Sequence, residues 1–439
     1  MPLIFELSLF LCLLPLCCAA ASPDRTGLLK RFLRYAALNT ASDAASKIRP
    51  TTEGQTRFAR LLVDELHEFG LTDAKVNQQG YVYATLPASR GFGEKALPVP
   101  GFIAHLDTVG LLGKSPVKPV VHRKYAGGDL VLPGDRSQVV SPKEHERLAA
   151  KKGSDIVTSD GRTVLGADDK AGIAEIMTAI DLLTNDSLFP HGPVKIAFTP
   201  DEETGCGMDA FDGKKWGADF AYTVDGEQLG ELNDETFNAT SAYVTFTGRN
   251  CHPGSAKGVM VNSLYAAAKF LAGLPKTQRP EAVAGRKGYQ HPHNIVGEEE
   301  SATVQLILRD FTLPGIQARQ KLLRDLATRT AKSFPGIECK VRIEESYRNM
   351  KQAIEPYPFL IALAAEAMRM AGITPVKRPI RGGTDGARLS FKGIPCPNLF
   401  SGAENVHSRT EWVAVDDMAK SVETILNIIR LWPSRAVRK

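Results

Sequence analysis

At 439 residues the chain is too long for one ordinary core, so two domains are expected. Hydrophobic residues at 43% and charged residues at 23% place it among soluble globular proteins. The formal net charge of +5, from 54 basic and 49 acidic residues, is too dilute over this length to mark a nucleic-acid binder.

The first 22 residues differ from the rest. Residues 7–18 (LSLFLCLLPLCC) are an apolar run closed by Ala19, Ala20, Ala21 and Ser22. That is the pattern of a cleavable signal peptide, and it is too short to span a membrane. Glu6 and the lack of Lys or Arg before the run depart from the pattern, and a misassigned start codon is the competing reading. Of seven cysteines, Cys12, Cys17 and Cys18 lie in this segment. Cys206, Cys251, Cys339 and Cys396 are scattered without CxxC spacing, which indicates neither a zinc knuckle nor a disulfide framework.

Helical spacing of Leu29, Phe32, Leu33 and Ala36 predicts a helix over 26–40. Phe58, Leu61, Leu62, Leu66 and Phe69 predict another over 51–69. Residues 81–86 alternate as a strand, and 99–104 is a short apolar run that delivers His105. Residues 110–160 are rich in Gly, Pro, Lys and charge, and read as a long excursion or extra hairpins. Ile173, Ile176, Met177, Ile180 and Leu183 predict an amphipathic helix, followed by buried strands at 194–198 and 220–224. Alternating strands and helices imply an α/β unit with a mixed or parallel sheet. After about residue 232 come strand 243–246, helix 262–274, strand 303–308, helix 317–333 and strand 338–344, a small α+β unit. Helices at 357–371 and 416–431 follow.

Five stations place acids or histidines beside small residues at the ends of apolar runs. They are AHLDT (104–108), GADDKAG (166–172), TPDEETG (199–205), TVDG (223–226) and ENVHS (404–408). His105 and Asp107, two apart on an extended segment, point to the same side. Asp168 and Asp169 open a helix, where an acidic pair alone would only complement the helix dipole. Glu202 and Glu203 are adjacent after a strand, so their side chains diverge and two jobs are expected. Asp225 and His407 complete the set. Histidine and carboxylate suit zinc and related divalent metals. Two histidines with three or more carboxylates exceed one tetrahedral zinc, so two metals sharing a ligand is the economical reading. Outside these stations, His252 in NCHPGSAKG falls in the α+β unit. Arg381 in PIRGGTDGA sits beside two glycines, where a guanidinium can grip a carboxylate bidentately or form a structural salt bridge.

The order and wording of these stations, with GADDKAGIAEIMTA, HPGSAKGVMVN, PIRGGTDGA and PCPNLF, resemble the zinc aminopeptidases of the M20 metallopeptidase family, and within it the tripeptide aminopeptidases. The resemblance runs from about residue 26 to the C-terminus. It implies a two-domain α/β metallopeptidase: a mixed-sheet zinc catalytic domain (26–232 and 347–433) with an inserted α+β lid or dimerisation domain (233–346). It implies two Zn2+ ions per chain with Asp168 bridging, His105 and Asp225 completing one, and Glu203 and His407 the other. Asp107 would orient His105, Glu202 would be the general base, His252 would hydrogen-bond the oxyanion, and Arg381 would hold a short peptide's C-terminus. Asp169, Lys257 and Asn262 are left as helpers. The implied reaction is release of the N-terminal residue from tripeptides. Dipeptidase, carboxypeptidase and N-acyl amino acid hydrolase activities share the metal site and stay open. The expected partners are a short peptide and, through the inserted domain, a second copy, with no nucleic acid and no stable membrane association once the leader is removed. The implied location is periplasmic or extracellular if the leader is real, otherwise cytoplasmic as in most of the family.

Overall fold

The computed structural model describes residues 23–90, 92, 97–110, 116–185 and 189–436. The expected leader, residues 1–22, lies outside them. Among the described residues the largest sheet has eight strands. Their order is Lys75–Val76, Val82–Leu86, Val194–Thr199, Pro100–His105, Phe220–Gly226, Asn398–Phe400, Glu231–Asn233, Val376–Lys377. The four strands from Val194–Thr199 to Asn398–Phe400 are mutually parallel, while Val82–Leu86 and Glu231–Asn233 pair with them antiparallel. The sheet is therefore mixed and the class is α/β. Pro100–His105 is buried at every position, as a central parallel strand covered on both faces requires.

Helices Ala167–Asn185 and Val415–Ala436 pack together on this sheet, with Arg25–Ala36 against them. Phe102, Phe198, Ile176, Met177, Val422 and Leu426 fill that layer. A smaller cluster, including Met208, Trp216, Leu389 and Cys396, covers the opposite face. The predicted helix near 173 starts earlier, but Asp168 and Asp169 hold non-helical backbone angles, so regular helix begins only after the acidic pair. The described residues of the 110–160 excursion, from 116 on, form a structured buttress. Its strands Val120–His122 and Ile156–Thr158 join Trp412–Ala414 and Ala403–Glu404 in an antiparallel sheet. Arg147 grips the buried carboxylate of Glu404 through Nε at 2.5 Å and Nη2 at 2.6 Å, tying the buttress to the hairpin that carries His407.

A separate antiparallel sheet is formed by Tyr289–Gly297, Ser301–Asp310, Asn238–Thr247 and Glu338–Tyr347, in that order. Helices Ser263–Ala272 and Leu313–Lys332 cover one face. Phe246, Phe270, Leu306 and Leu323 are fully buried between the layers. The edge strand Tyr289–Gly297 was not expected. Pro292 and two histidines break its alternation, and the register shifts between Pro292 and Asn294, which is where a sheet tolerates proline. Among the described residues no helix is long and apolar enough to cross a membrane. Phe246→Ala should remove the centre of the second core and lower unfolding free energy by about 3–5 kcal/mol, measured by urea denaturation.

Candidate metal centre

The four parallel strands end on the same edge, where open α/β sheets place ligands. Pro100–His105 ends on His105, Val194–Thr199 leads into Glu202 and Glu203, and Phe220–Gly226 carries Asp225. Asn398–Phe400 leads through a short hairpin to His407. Two groups of donors result, His105–Asp168–Asp225 and Asp168–Glu203–His407, each with ligand atoms within 4.8 Å of one another. Asp168 belongs to both through different oxygens: Oδ1 is 2.8 Å from His105 Nε2 and Oδ2 is 2.9 Å from His407 Nε2.

The remaining approaches are close but are not hydrogen bonds. His105 Nε2 lies 3.4 Å from Asp225 Oδ1, and His407 Nε2 lies 3.0 Å from Glu203 Oε1. Glu203 Oε1 is buried. Imidazole nitrogen and carboxylate oxygen are the donors a zinc-like ion takes, so the set fits a divalent metal in each group.

The charges of the cluster act strongly on one another. Burial would lower the pKa of His407, but Asp168 and Glu203 outweigh it and hold the imidazole up at about 11. Burial would raise Asp168, but the two imidazoles win and keep it well below the usual carboxylate range. Glu203 is pushed up to about 7 by burial and by the charge of Asp168. Glu202 is raised well above its usual range by burial, His105 opposing and Asp385, Asp225 and Glu203 adding.

Asp107 is fully buried, and its carboxylate accepts from the backbone N–H of Glu202 at 2.9 Å and of Glu203 at 3.1 Å. His105 Nδ1 is nearer the Asp107 carbonyl (3.0 Å) than its carboxylate (3.5 Å). The Asp107 backbone and carboxylate thus both face the His105 ring, and the carboxylate also holds the Glu202–Glu203 turn. Asp169 accepts from the His105 N–H at 3.0 Å.

His252 and Arg381 are not in either donor group. His252 is exposed on the 249–261 loop of the second unit, and its Nδ1 accepts from the Gly254 N–H at 3.1 Å. Arg381 is half-buried and engaged with backbone of the second unit instead of an acid. Nη1 donates to the carbonyls of Gly285 and Lys287 (3.0 Å to the latter), and Nη2 to that of Val283 at 3.5 Å. Asn262 caps the following helix, accepting from the Leu264 N–H at 2.8 Å, which accounts for it without a part in the site.

Two residues escaped the reading of the stations. Glu411 is buried, and accepts from the N–H groups of Gly166 (2.8 Å) and Asp168 (3.0 Å), fixing the Asp168 backbone. Asp385 is buried and takes a hydrogen bond from Thr199 Oγ1 at 2.5 Å. Burial pushes both carboxyls up to about 7. Glu411 lies four residues after His407 in a segment with no distinctive pattern. Asp385 stands in RGGTDGA, a string singled out only for its arginine.

The sequence matches the family model of peptidase family M20/M25/M40 over residues 158–431. It is 45% identical over 409 residues to a peptidase T from Geobacillus kaustophilus (strain HTA426), covering 93% of this chain and 99% of that one. Its fold is similar to that of aminopeptidase PepT from Bacillus cereus ATCC 10987, with TM-score 0.70 at 22% identity, covering 93% of this chain and 98% of the other. A tripeptidase from Staphylococcus aureus gives TM-score 0.74 at 20% identity, covering 94% and 100%.

Glu411→Ala would leave the Gly166 and Asp168 N–H groups buried without an acceptor. Unfolding free energy should fall by about 1–3 kcal/mol for each orphaned donor. Divalent metal retained after dialysis should fall with it, read by elemental analysis; full retention would show that Asp168 is fixed by its other contacts.

Proposed function

The chain belongs to peptidase family M20/M25/M40 and is a metallo-aminopeptidase, and we propose that it works with two zinc ions and releases the N-terminal residue of tripeptides. The observation that carries this reading is the division of Asp168 between two histidines. His105 and Asp225 would hold one ion, Glu203 and His407 the other, and Asp168 both. Bound there, zinc supplies Lewis acidity that lowers the pKa of water toward neutrality and polarises a carbonyl.

The chain's own groups do the rest. Glu202 ligates in neither donor group, and burial, which raises its pKa, makes it a readier proton acceptor. It accepts the proton of the attacking water and passes it to the leaving amine. Asp107 holds the Glu202 and Glu203 backbone so that the two side chains diverge, one toward the substrate and one into the donor group. His252 accepts at Nδ1, so its neutral ring carries hydrogen on Nε2, the form that can donate to an oxyanion. Closure of the inserted unit, or a second copy, must bring it to the centre. Arg381 stands on the same 381–385 segment as Asp385, and we assign it the peptide's C-terminal carboxylate. Dipeptidases, carboxypeptidases and acyl amino acid hydrolases also take substrates with a free C-terminal carboxylate, so Arg381 alone does not separate them. Product analysis on Ala-Ala-Ala, a dipeptide and an acyl amino acid separates them.

Glu202→Ala should keep its metal and fold and lose tripeptide turnover by roughly a hundred-fold or more. Metal analysis beside kinetics checks this, and loss of metal together with activity would show that the roles of Glu202 and Glu203 are exchanged. Arg381→Ala should weaken Ala-Ala-Ala by about 1.5–3 kcal/mol, ten- to a hundred-fold or more, and change the C-terminal amide little. Equal losses for both peptides would assign Arg381 to joining the two units alone.

A further inference from the structure

One side chain where the two units meet is not used by that chemistry. Tyr347 is the last residue of the strand Glu338–Tyr347, and its ring presses on the backbone of the 381–385 segment. A Cβ placed on Gly383 would lie 2.7 Å from both Cε1 and Cζ of the ring, so the close approach requires glycine. Arg309 packs against the same ring, its guanidinium carbon 5.9 Å from the centroid, and 5.8 Å from that of Tyr289. Nη1 of Arg309 donates to the Arg381 carbonyl at 3.0 Å, locking this corner to the catalytic unit.

The hydroxyl at the tip of this clamped ring is buried and has no hydrogen-bond partner among the described residues. It also lies within electrostatic reach of Glu202. Burial raises the phenol's pKa most, Arg309 and Arg388 oppose, and Tyr289 and Glu202 add to the rise. The group is therefore a neutral O–H donor at any working pH. A buried donor without an acceptor carries an unrecovered desolvation cost, and native structures keep few of them. Glu202 does not accept from it here, and its other charged neighbours, Arg309 and Arg388, carry no acceptor. A bound peptide does.

We propose that Tyr347 is a substrate-binding residue of this aminopeptidase, its hydroxyl donating to a carbonyl or carboxylate oxygen of the peptide beside Glu202. The proposal rests on the reading of Glu202 as the group that faces the scissile bond. Tyr347→Phe keeps the ring and its contacts with Gly383 and Arg309 and deletes only the O–H. In zinc-loaded Glu202→Ala protein, affinity for Ala-Ala-Ala by calorimetry should fall tenfold or more when Tyr347→Phe is added. The unfolding midpoint should stay the same or rise. In the otherwise native enzyme KM should rise by a similar factor. Unchanged affinity overturns the proposal, and so does a lowered midpoint, which would mean the hydroxyl is satisfied within the fold. If Glu202→Ala protein still hydrolyses the peptide, the base assignment fails separately, and the KM comparison in the native background still decides the role of Tyr347.

Discussion

Asp168 stands between two imidazoles, one oxygen turned to each, and the chain buries several further carboxylates around that bridge. Asp107, Asp169, Asp385 and Glu411 are each almost wholly buried, and Glu203 and Asp225 nearly so. Burial and neighbouring carboxylates raise Asp169, Asp225, Glu203, Asp385 and Glu411 above their ordinary range. Glu203 and Glu411, raised from 4.5 to about 7, bind protons more tightly in the fold than in the unfolded chain. Their contribution to stability is full below the ordinary carboxylate range and is lost as pH rises through about 7. At neutral pH a metal can supply the charge that protons otherwise would. The fold is therefore coupled to the ion that does its chemistry.

The acids divide their labour by what they hold. Those at the centre turn oxygens toward the two histidines, and those around them hold backbone. Asp107 fixes the N–H groups of Glu202 and Glu203, Glu411 those of Gly166 and Asp168, and Asp169 that of His105. Asp201 does the same farther out, accepting from the N–H of Thr51 and from Gln55. Asp107 and Asp169 each tie one station to another, while Glu411 and Asp201 tie a station to a segment outside the five. The stations are thus not five independent loops on a sheet edge but one network, and this network keeps the ligand atoms in place. It also explains the left-handed backbone of His407 (φ 61°): the hairpin bearing it is anchored through Glu404 to Arg147, which lets the tip hold a conformation that a free loop would leave.

What could be read in the sequence followed from how locally each feature is encoded. Long amphipathic helices and the buried strands carry their own periodicity, and the central elements lie where that periodicity puts them. The residues of the two donor groups sit in short strings of small and acidic residues. Edge strands of two or three residues, such as Lys75–Val76 and Val376–Lys377, have no period to detect and form because a neighbour offers hydrogen bonds. Glu411 and Asp385 were missed for a related reason. Their partners are backbone N–H groups and a threonine hydroxyl far along the chain, and a lone acid in ordinary sequence does not announce such partners. Arg381 is the converse case. Its sequence suits a carboxylate, but the 283–287 carbonyls that occupy it come from another unit and leave no trace near residue 381.

The seam between the units is where binding and chemistry meet. The catalytic unit alone supplies the ligand atoms and Glu202, while His252 belongs to the inserted unit and Tyr347 closes its sheet. The corner is held by the Arg381 contacts to backbone carbonyls and by Arg309 on the Arg381 carbonyl. These bonds fix the inserted sheet at one end. The 249–261 loop carrying His252 stays exposed, so rotation about the fixed corner would move His252 while leaving Tyr347 and Arg381 in place. A peptide anchored at the corner would then be positioned before closure, and binding energy gained away from the scissile bond would be available to bring the last donor in.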